Sequence, residues 1–133
     1  MTVGKFVVGV VGMSALLWGG PLAASAHEMT ERYIPVGQSP GLSGKYTVIG
    51  KIQTTNARDQ TVAIVGTTRS WSAKVTEKTK IWLDRSKLRL TNLKGTFSDL
   101  RPGATVEVKP EGHLRGVFSG PAEWIKVQIS ASP

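Results

Sequence analysis

Three segments of the chain alternate apolar and polar side chains with a period of two: 70–75, 104–109 and 122–130. A period of two predicts β-strands with one buried face, because successive side chains of a strand point to opposite sides. Trp71 shares the phase of the apolar positions in its segment, so we expect it in the core. Other runs rich in β-forming residues predict further strands at 46–53, 60–65 and 80–83.

Turn residues separate these runs. Asn56–Asp59 makes the turn between the first two predicted strands, and Pro102-Gly103 fits the two central positions of a type II turn. The segment 84–95 is expected to be a connection with a short helix, and no segment has a convincing amphipathic helical pattern. Short strands with frequent turns predict an all-β fold, a small five-stranded antiparallel OB-like barrel spanning 46–130. Closure of the barrel would remove exposed sheet edges.

Residues 27–45 show neither the period of a strand nor that of a helix. The stretch 34–44 contains two prolines and three glycines, a composition typical of turns and extended chain. Several apolar side chains lie among them, including Tyr33, Val36 and Leu42. We therefore expect an irregular N-terminal arm that lies against the barrel, and the name arm is used below for residues 27–45.

The first 26 residues have the pattern of a cleaved signal peptide. Lys5 precedes an apolar run at 6–18, and Ala24-Ser25-Ala26 supplies the small residues that a cleavage site needs. The apolar run is shorter than the ~20 residues that span a bilayer. Cleavage is predicted between Ala26 and His27, which predicts a periplasmic or secreted bacterial protein with no stable membrane span.

Charge and cysteine content narrow the possible partners. The chain has no cysteine, which excludes thiol catalysis and thiolate metal sites and fits a bacterial periplasm. Its formal net charge of +8 would ordinarily indicate nucleic acid. Export makes an anionic envelope component or a protein the expected partner instead, with no nucleic acid. The alternative is that the charge serves solubility alone.

A specific motif occupies residues 97–108, which read F-x-D-L-x-x-G-x-x-V-x-V, and a closing A-x-x-I-x-V occupies 122–127. With the preceding strand pattern, this order resembles the uncharacterised secreted bacterial domains that have an OB-like five-stranded barrel. The resemblance covers about residues 46–130. Because the motif serves a turn and a core, it implies a fold, and it carries no catalytic residues to this chain.

The sequence contains no nucleophile elbow, phosphate-binding loop or metalloprotease helix. We therefore expect a binding or interaction module and not an enzyme.

A candidate binding face follows from strand alternation. If Ile125 points inward, its neighbours Trp124 and Lys126 point outward, and Trp82 is likewise out of phase with Ile81. Outward tryptophans beside cations can stack sugar rings or hold anionic groups. The predicted ligand-binding residues are Trp82, Arg85, Trp124 and Lys126. The alternative is that the arm covers these rings as a second small core.

Copper is the alternative ligand. Cleavage after Ala26 would give His27 a free amino group beside its imidazole, and nitrogen donors suit Cu(II). His113 could complete a three-nitrogen site. Otherwise His27 is simply the first residue after the cut, His113 is a solvated loop residue, and no cofactor is expected.

Overall fold

The structure, a computed structural model, describes residues 30–67, 69–112 and 119–130. The chain divides into two compact units, Met1–Glu31 and Arg32–Pro133, and the description below concerns the second unit. The predicted signal peptide, its cleavage site, His27 and His113 lie outside the described residues.

The described part of the second unit is built from strands. Short 3-10 turns at Ser86–Leu88 and Phe97–Asp99 accompany them. The strands are β1 Val48–Asn56, β2 Thr61–Gly66, β3 Ser70–Lys74, β4 Lys80–Asp84, β5 Leu93–Lys94, β6 Thr105–Pro110 and β7 Ser119–Gln128. The predicted all-β class is confirmed, and the predicted connection at 84–95 contains a 3-10 turn and the two-residue strand β5.

Five strands close into a barrel. The neighbour order is β3-β2-β1-β6-β7-β4-β5, and an additional pairing of β3 with β7 closes the ring, leaving β4 and β5 as extra strands. The prediction of a purely antiparallel barrel is wrong, because β7 runs parallel to both β3 and β4. The cause is the length of β7. Its first residues pair with β3 and its later residues pair with β4, which continues in the same direction.

The alternating segments supply the barrel interior. Trp71 and Ile125 are buried in one hydrophobic core, as their phase predicts. The buried apolar residues of this core are Val48, Ile52, Val62, Ile64, Trp71, Ala73, Ile81, Leu100, Val106, Val108, Ala122, Ile125 and Val127. Trp82 and Trp124 are buried but do not belong to this cluster, because they lie on the opposite face of the sheet.

Gly50 allows β1 and β2 to approach closely. A Cβ atom at this position would lie 2.2 Å from the backbone oxygen of Val65, far inside van der Waals contact. Since Gly50 faces Gly66 across the strand pair, two glycines permit the tight coiling of β1 in the barrel wall.

The part of the arm that belongs to the second unit, residues 32–45, lies against the barrel. It folds into successive turns, with Gln38 donating to the carbonyl of Pro35 and Leu42 to that of Ser39. The expected apolar contact is incomplete, since Tyr33 stays exposed. Hydrogen bonds from Gly37 and Ser43 to Glu107 of the sheet also attach the arm. Among the described residues, no helix has the length and apolar character needed to cross a bilayer.

Candidate functional site

Four side chains form a row across the outer face of the sheet, opposite the core. On β4, Trp82 faces Lys94 of β5 on one side and Lys126 of β7 on the other. Lys126 in turn faces Glu107 of β6. Directly opposed residues of neighbouring strands place their side chains on the same face. The outer face therefore carries the row Lys94, Trp82, Lys126 and Glu107.

A tryptophan pair adjoins this row. The ring centroids of Trp82 and Trp124 lie 5.8 Å apart at an interplanar angle of 36°. The Nζ atom of Lys126 lies 4.6 Å from the centroid of Trp124, within the range of a cation–π interaction. Both rings are almost completely buried. The predicted residues Trp82, Trp124 and Lys126 are thus brought together on the face that their phase predicts, but all three are buried.

The middle of the row contains two fully buried charged residues, Lys126 and Glu107, each 0 % exposed. Burial of a charged group is costly unless hydrogen bonds replace its hydration. The carboxylate of Glu107 accepts three bonds, from the backbone N–H of Gly37 at 2.8 Å, the hydroxyl of Ser43 at 2.6 Å and that of Thr47 at 2.8 Å. Every one of these donors comes from the arm or from the turn that follows it.

The other buried charges bind the arm in the same way. The Nζ of Lys126 donates to the hydroxyl of Ser39 at 3.1 Å. The carboxylate of Asp84, at the end of β4, accepts the backbone N–H of Val36 at 2.8 Å and that of Ser86 at 3.0 Å. We call this network the latch. It comprises Asp84, Glu107 and Lys126 of the sheet with Val36, Gly37, Ser39, Ser43 and Thr47.

Arg85 has a different role from the other predicted ligand-binding residues. Its backbone N–H donates to Oδ1 of Asn92 and its Nε donates to the carbonyl of Thr91, each at 2.7 Å. The guanidinium therefore closes the loop between β4 and β5. That these four residues bind a ligand stays a prediction. The burial of both rings agrees with the alternative that the arm covers them.

Sequence reasoning missed Asp84 and Glu107. Glu107 stands between Val106 and Val108 in a clean alternation, so the pattern places it on the polar side of a strand and suggests contact with water. Its donors are 60 to 70 residues away in the chain. A possible signal was the abundance of small polar residues in the arm, which can bond a carboxylate as well as form turns.

The other end of the row is open. A shallow cleft of about 220 Å³ lies at the edge formed by β4 and β5. Its lining residues are Thr79, Lys80, Ile81, Trp82, Lys94 and Gly95. Lys80 and Lys94 are exposed, and neither ammonium has a hydrogen-bond or ion-pair partner among the described residues. Trp82 therefore belongs both to the covered tryptophan pair and to the wall of an open cationic cleft.

Within the described ranges, no three His, Cys, Asp or Glu side chains are grouped so that they could hold a metal ion. The copper hypothesis rests on His27 and His113, both outside those ranges, and it stays a prediction. Searches of protein-family models, curated proteins and solved structures returned no match to this chain. The resemblance to secreted OB-like domains likewise stays a prediction.

Proposed function

We propose that this protein is an exported, non-enzymatic binding module that holds an anionic ligand in the cleft beside Trp82. The observation that carries the proposal is the pair of exposed ammonium groups of Lys80 and Lys94, which lack partners among the described residues and flank an aromatic side chain. Export is supported by the signal-peptide pattern of residues 1–26.

The spacing of the two lysines suits one anion. Lys94 is directly opposite Trp82, and Lys80 precedes Trp82 by two residues on the same strand face. Diagonal neighbours on an antiparallel pair lie roughly 7–8 Å apart, within reach of two long side chains. A sulfate, phosphate or carboxylate group between them would relieve the repulsion of two like charges. Trp82 is only 4 % exposed, so it offers such a ligand no more than the part of its side chain that lines the cleft.

The barrel type belongs to the same proposal. We propose that the closed five-stranded ring is OB-like. Barrels of that type hold oligomeric ligands on a strand face and in loops, which agrees with a binding function. The closure of five strands into one ring supports this assignment. The cleft lies on the added strands, so the ligand would sit beside the ring instead of inside it.

Heparin, a soluble sulfated glycan, is the test ligand. The protein is purified after export by a bacterial host, its N-terminus is recorded by mass spectrometry, and binding is measured by calorimetry at low and high salt. The double variant K80Q/K94Q should bind roughly thirtyfold more weakly, since each exposed charge contributes about 1 kcal/mol at contact distance. Binding by the unchanged protein should weaken as salt rises.

The matched control is K51Q/R58Q, which also removes two exposed positive charges, one on β1 and one in the turn that follows it. This variant should bind within about twofold of the unchanged protein, beyond the small effect of net charge. Equal losses in the two double variants would show attraction by net charge alone and would overturn the proposed site. No binding of heparin at low salt would overturn the proposed function for anionic glycans.

A further inference from the structure

The segment that joins β4 to β5 and includes β5 is strongly basic. Residues 85–94 carry four cations and no carboxylate, and the cations are Arg85, Lys87, Arg89 and Lys94. The nearest acidic residue in the chain, Asp84, is buried and bonded to two backbone N–H groups. Lys87, Arg89 and Lys94 are exposed. This edge of the molecule therefore presents positive charge that no neighbouring carboxylate in the segment offsets.

The same edge exposes large apolar side chains. Leu90 and Tyr33 are each 50 % exposed and Leu93 is 40 % exposed. Tyr33 is held beside the segment by its neighbour Arg32. The guanidinium of Arg32 donates to the backbone carbonyl of Asn92 at 3.2 Å, and the backbone carbonyl of Arg32 accepts from the side-chain amide of Asn92 at 2.9 Å. Three of the five exposed large apolar side chains in the described ranges thus belong to or adjoin one short basic segment.

The segment is held in a defined conformation. The 3-10 turn Ser86–Leu88 is followed by Arg89 in the left-handed region, with φ of 59°, and Leu90 N–H returns to the carbonyl of Arg85 at 3.2 Å. A left-handed conformation is unfavourable for a residue other than glycine. The surrounding hydrogen bonds maintain it, so Leu90 is presented to solvent without further ordering of the chain.

We propose that segment 85–94, together with Tyr33, docks on the surface of a bilayer that contains anionic lipids. The leucines and the tyrosine enter the boundary between headgroups and acyl chains, and the cations pair with lipid phosphates. This inference rests on the proposed function, because Lys94 belongs both to the anion-binding cleft and to the docking segment.

The combination of side chains favours a bilayer over the other occupants. A soluble anionic glycan would satisfy the cations but would leave Leu90 and Leu93 in water. A second copy of this chain could cover the leucines, but its own net positive charge would oppose the approach. An anionic bilayer offers phosphates and an apolar layer within the depth of one side chain.

Vesicle co-flotation tests the inference. The exported protein is mixed with vesicles of phosphatidylcholine alone or with added phosphatidylglycerol. We expect binding only to the anionic vesicles, and a loss of about tenfold or more in L90S/L93S, since the variant removes apolar groups whose burial in the bilayer favours docking. The matched control Y46S/V65S removes two exposed apolar side chains elsewhere and should bind as the unchanged protein does.

The outcomes separate the inference from the function on which it rests. If L90S/L93S loses vesicle binding and keeps heparin binding, docking is supported. If L90S/L93S binds vesicles as the unchanged protein does, docking through this segment is overturned. If the unchanged protein binds heparin but no vesicles, docking is overturned and the proposed function stands. If neither probe is bound, both are overturned. Because Leu93 lies in β5, thermal unfolding and the single variant L90S, outside any strand, show whether a loss reflects misfolding.

Discussion

Lys126 and Lys80 lie on neighbouring strands and on the same face of the sheet, yet their surroundings are opposite. Lys126 is completely buried, contacts the ring of Trp124 and donates to Ser39 of the arm. Lys80 is exposed, lines the cleft and has no partner among the described residues. Both are lysines in the polar phase of a strand. Their roles differ because the arm crosses one end of the face and leaves the other end open.

The comparison shows what buried charge does in this molecule. In the latch, each carboxylate accepts hydrogen bonds from the arm, so removal of one group leaves others buried without their partner. In the cleft, each ammonium keeps its hydration and can exchange water for a ligand at little cost to the fold. The latch therefore fixes the position of the arm, and the cleft stays free for binding.

The largest expected effect is that of Glu107→Ala. It removes the acceptor of three bonds and leaves Lys126 opposite a vacant position, so the free energy of unfolding should fall by about 3–5 kcal/mol. Glu123→Ala is the control, because this carboxylate is largely exposed and pairs with Lys109 at 2.8 Å. It should cost at most about 1 kcal/mol. Urea unfolding measures both, and equal losses would contradict the distinction between the buried carboxylate of the latch and an exposed one.

A smaller effect is expected for Asp84→Asn. The amide oxygen can accept from Val36 or from Ser86, but the NH2 group then faces the other backbone donor. The loss in unfolding free energy should be about 1–3 kcal/mol. Asp59→Asn, in the exposed turn after β1, should change stability by less than about 0.5 kcal/mol. If the two variants are equally stable in urea, Asp84 does not hold the arm.

The smallest effect is local. Ser43→Ala removes one donor to Glu107 and one acceptor for the N–H of Ser39, a loss of about 1 kcal/mol confined to the arm. Hydrogen exchange of the Gly37 amide should accelerate about fivefold. The amide of Val62, in β2 of the barrel wall, should exchange at its original rate. Ser98→Ala, in an exposed turn, should leave Gly37 unaffected, and faster exchange at Val62 would mean that arm and barrel open together.

The sequence pattern predicts six of the seven strands and misses the two-residue strand β5. The alternation around Trp71 and Ile125 placed both correctly in the core, because period two reports directly on which face is buried. It could not predict the parallel partners of β7, since strand direction in a ring depends on where a long strand ends up beside β3 and β4. The strand propensity of a short segment does not report which distant strands it pairs with.

The candidate site was predicted only in part for a related reason. Alternation shows that Trp82, Trp124 and Lys126 lie on the face away from the core, but it does not show whether another segment covers that face. The covering segment is identified by two hydrogen bonds: Gly37 donates to Glu107, 70 positions later, and Ser39 accepts from Lys126, 87 positions later. The open cleft was missed because Lys94 becomes a neighbour of Trp82 only when the two-residue strand β5 pairs.

The long reach of the latch also sets an order of events in folding. The arm leaves the ribosome before any strand, yet its hydrogen-bond partners Glu107 on β6 and Lys126 on β7 belong to the last strands of the described chain to be made. Contacts of such sequence separation form late, after the loops between them have closed. Until then the carboxylate of Glu107 and the ammonium of Lys126 lack their partners in the arm. Before the arm docks, the outer face of the sheet around Glu107 and Lys126, which is buried in the finished protein, is therefore accessible to solvent and to other molecules.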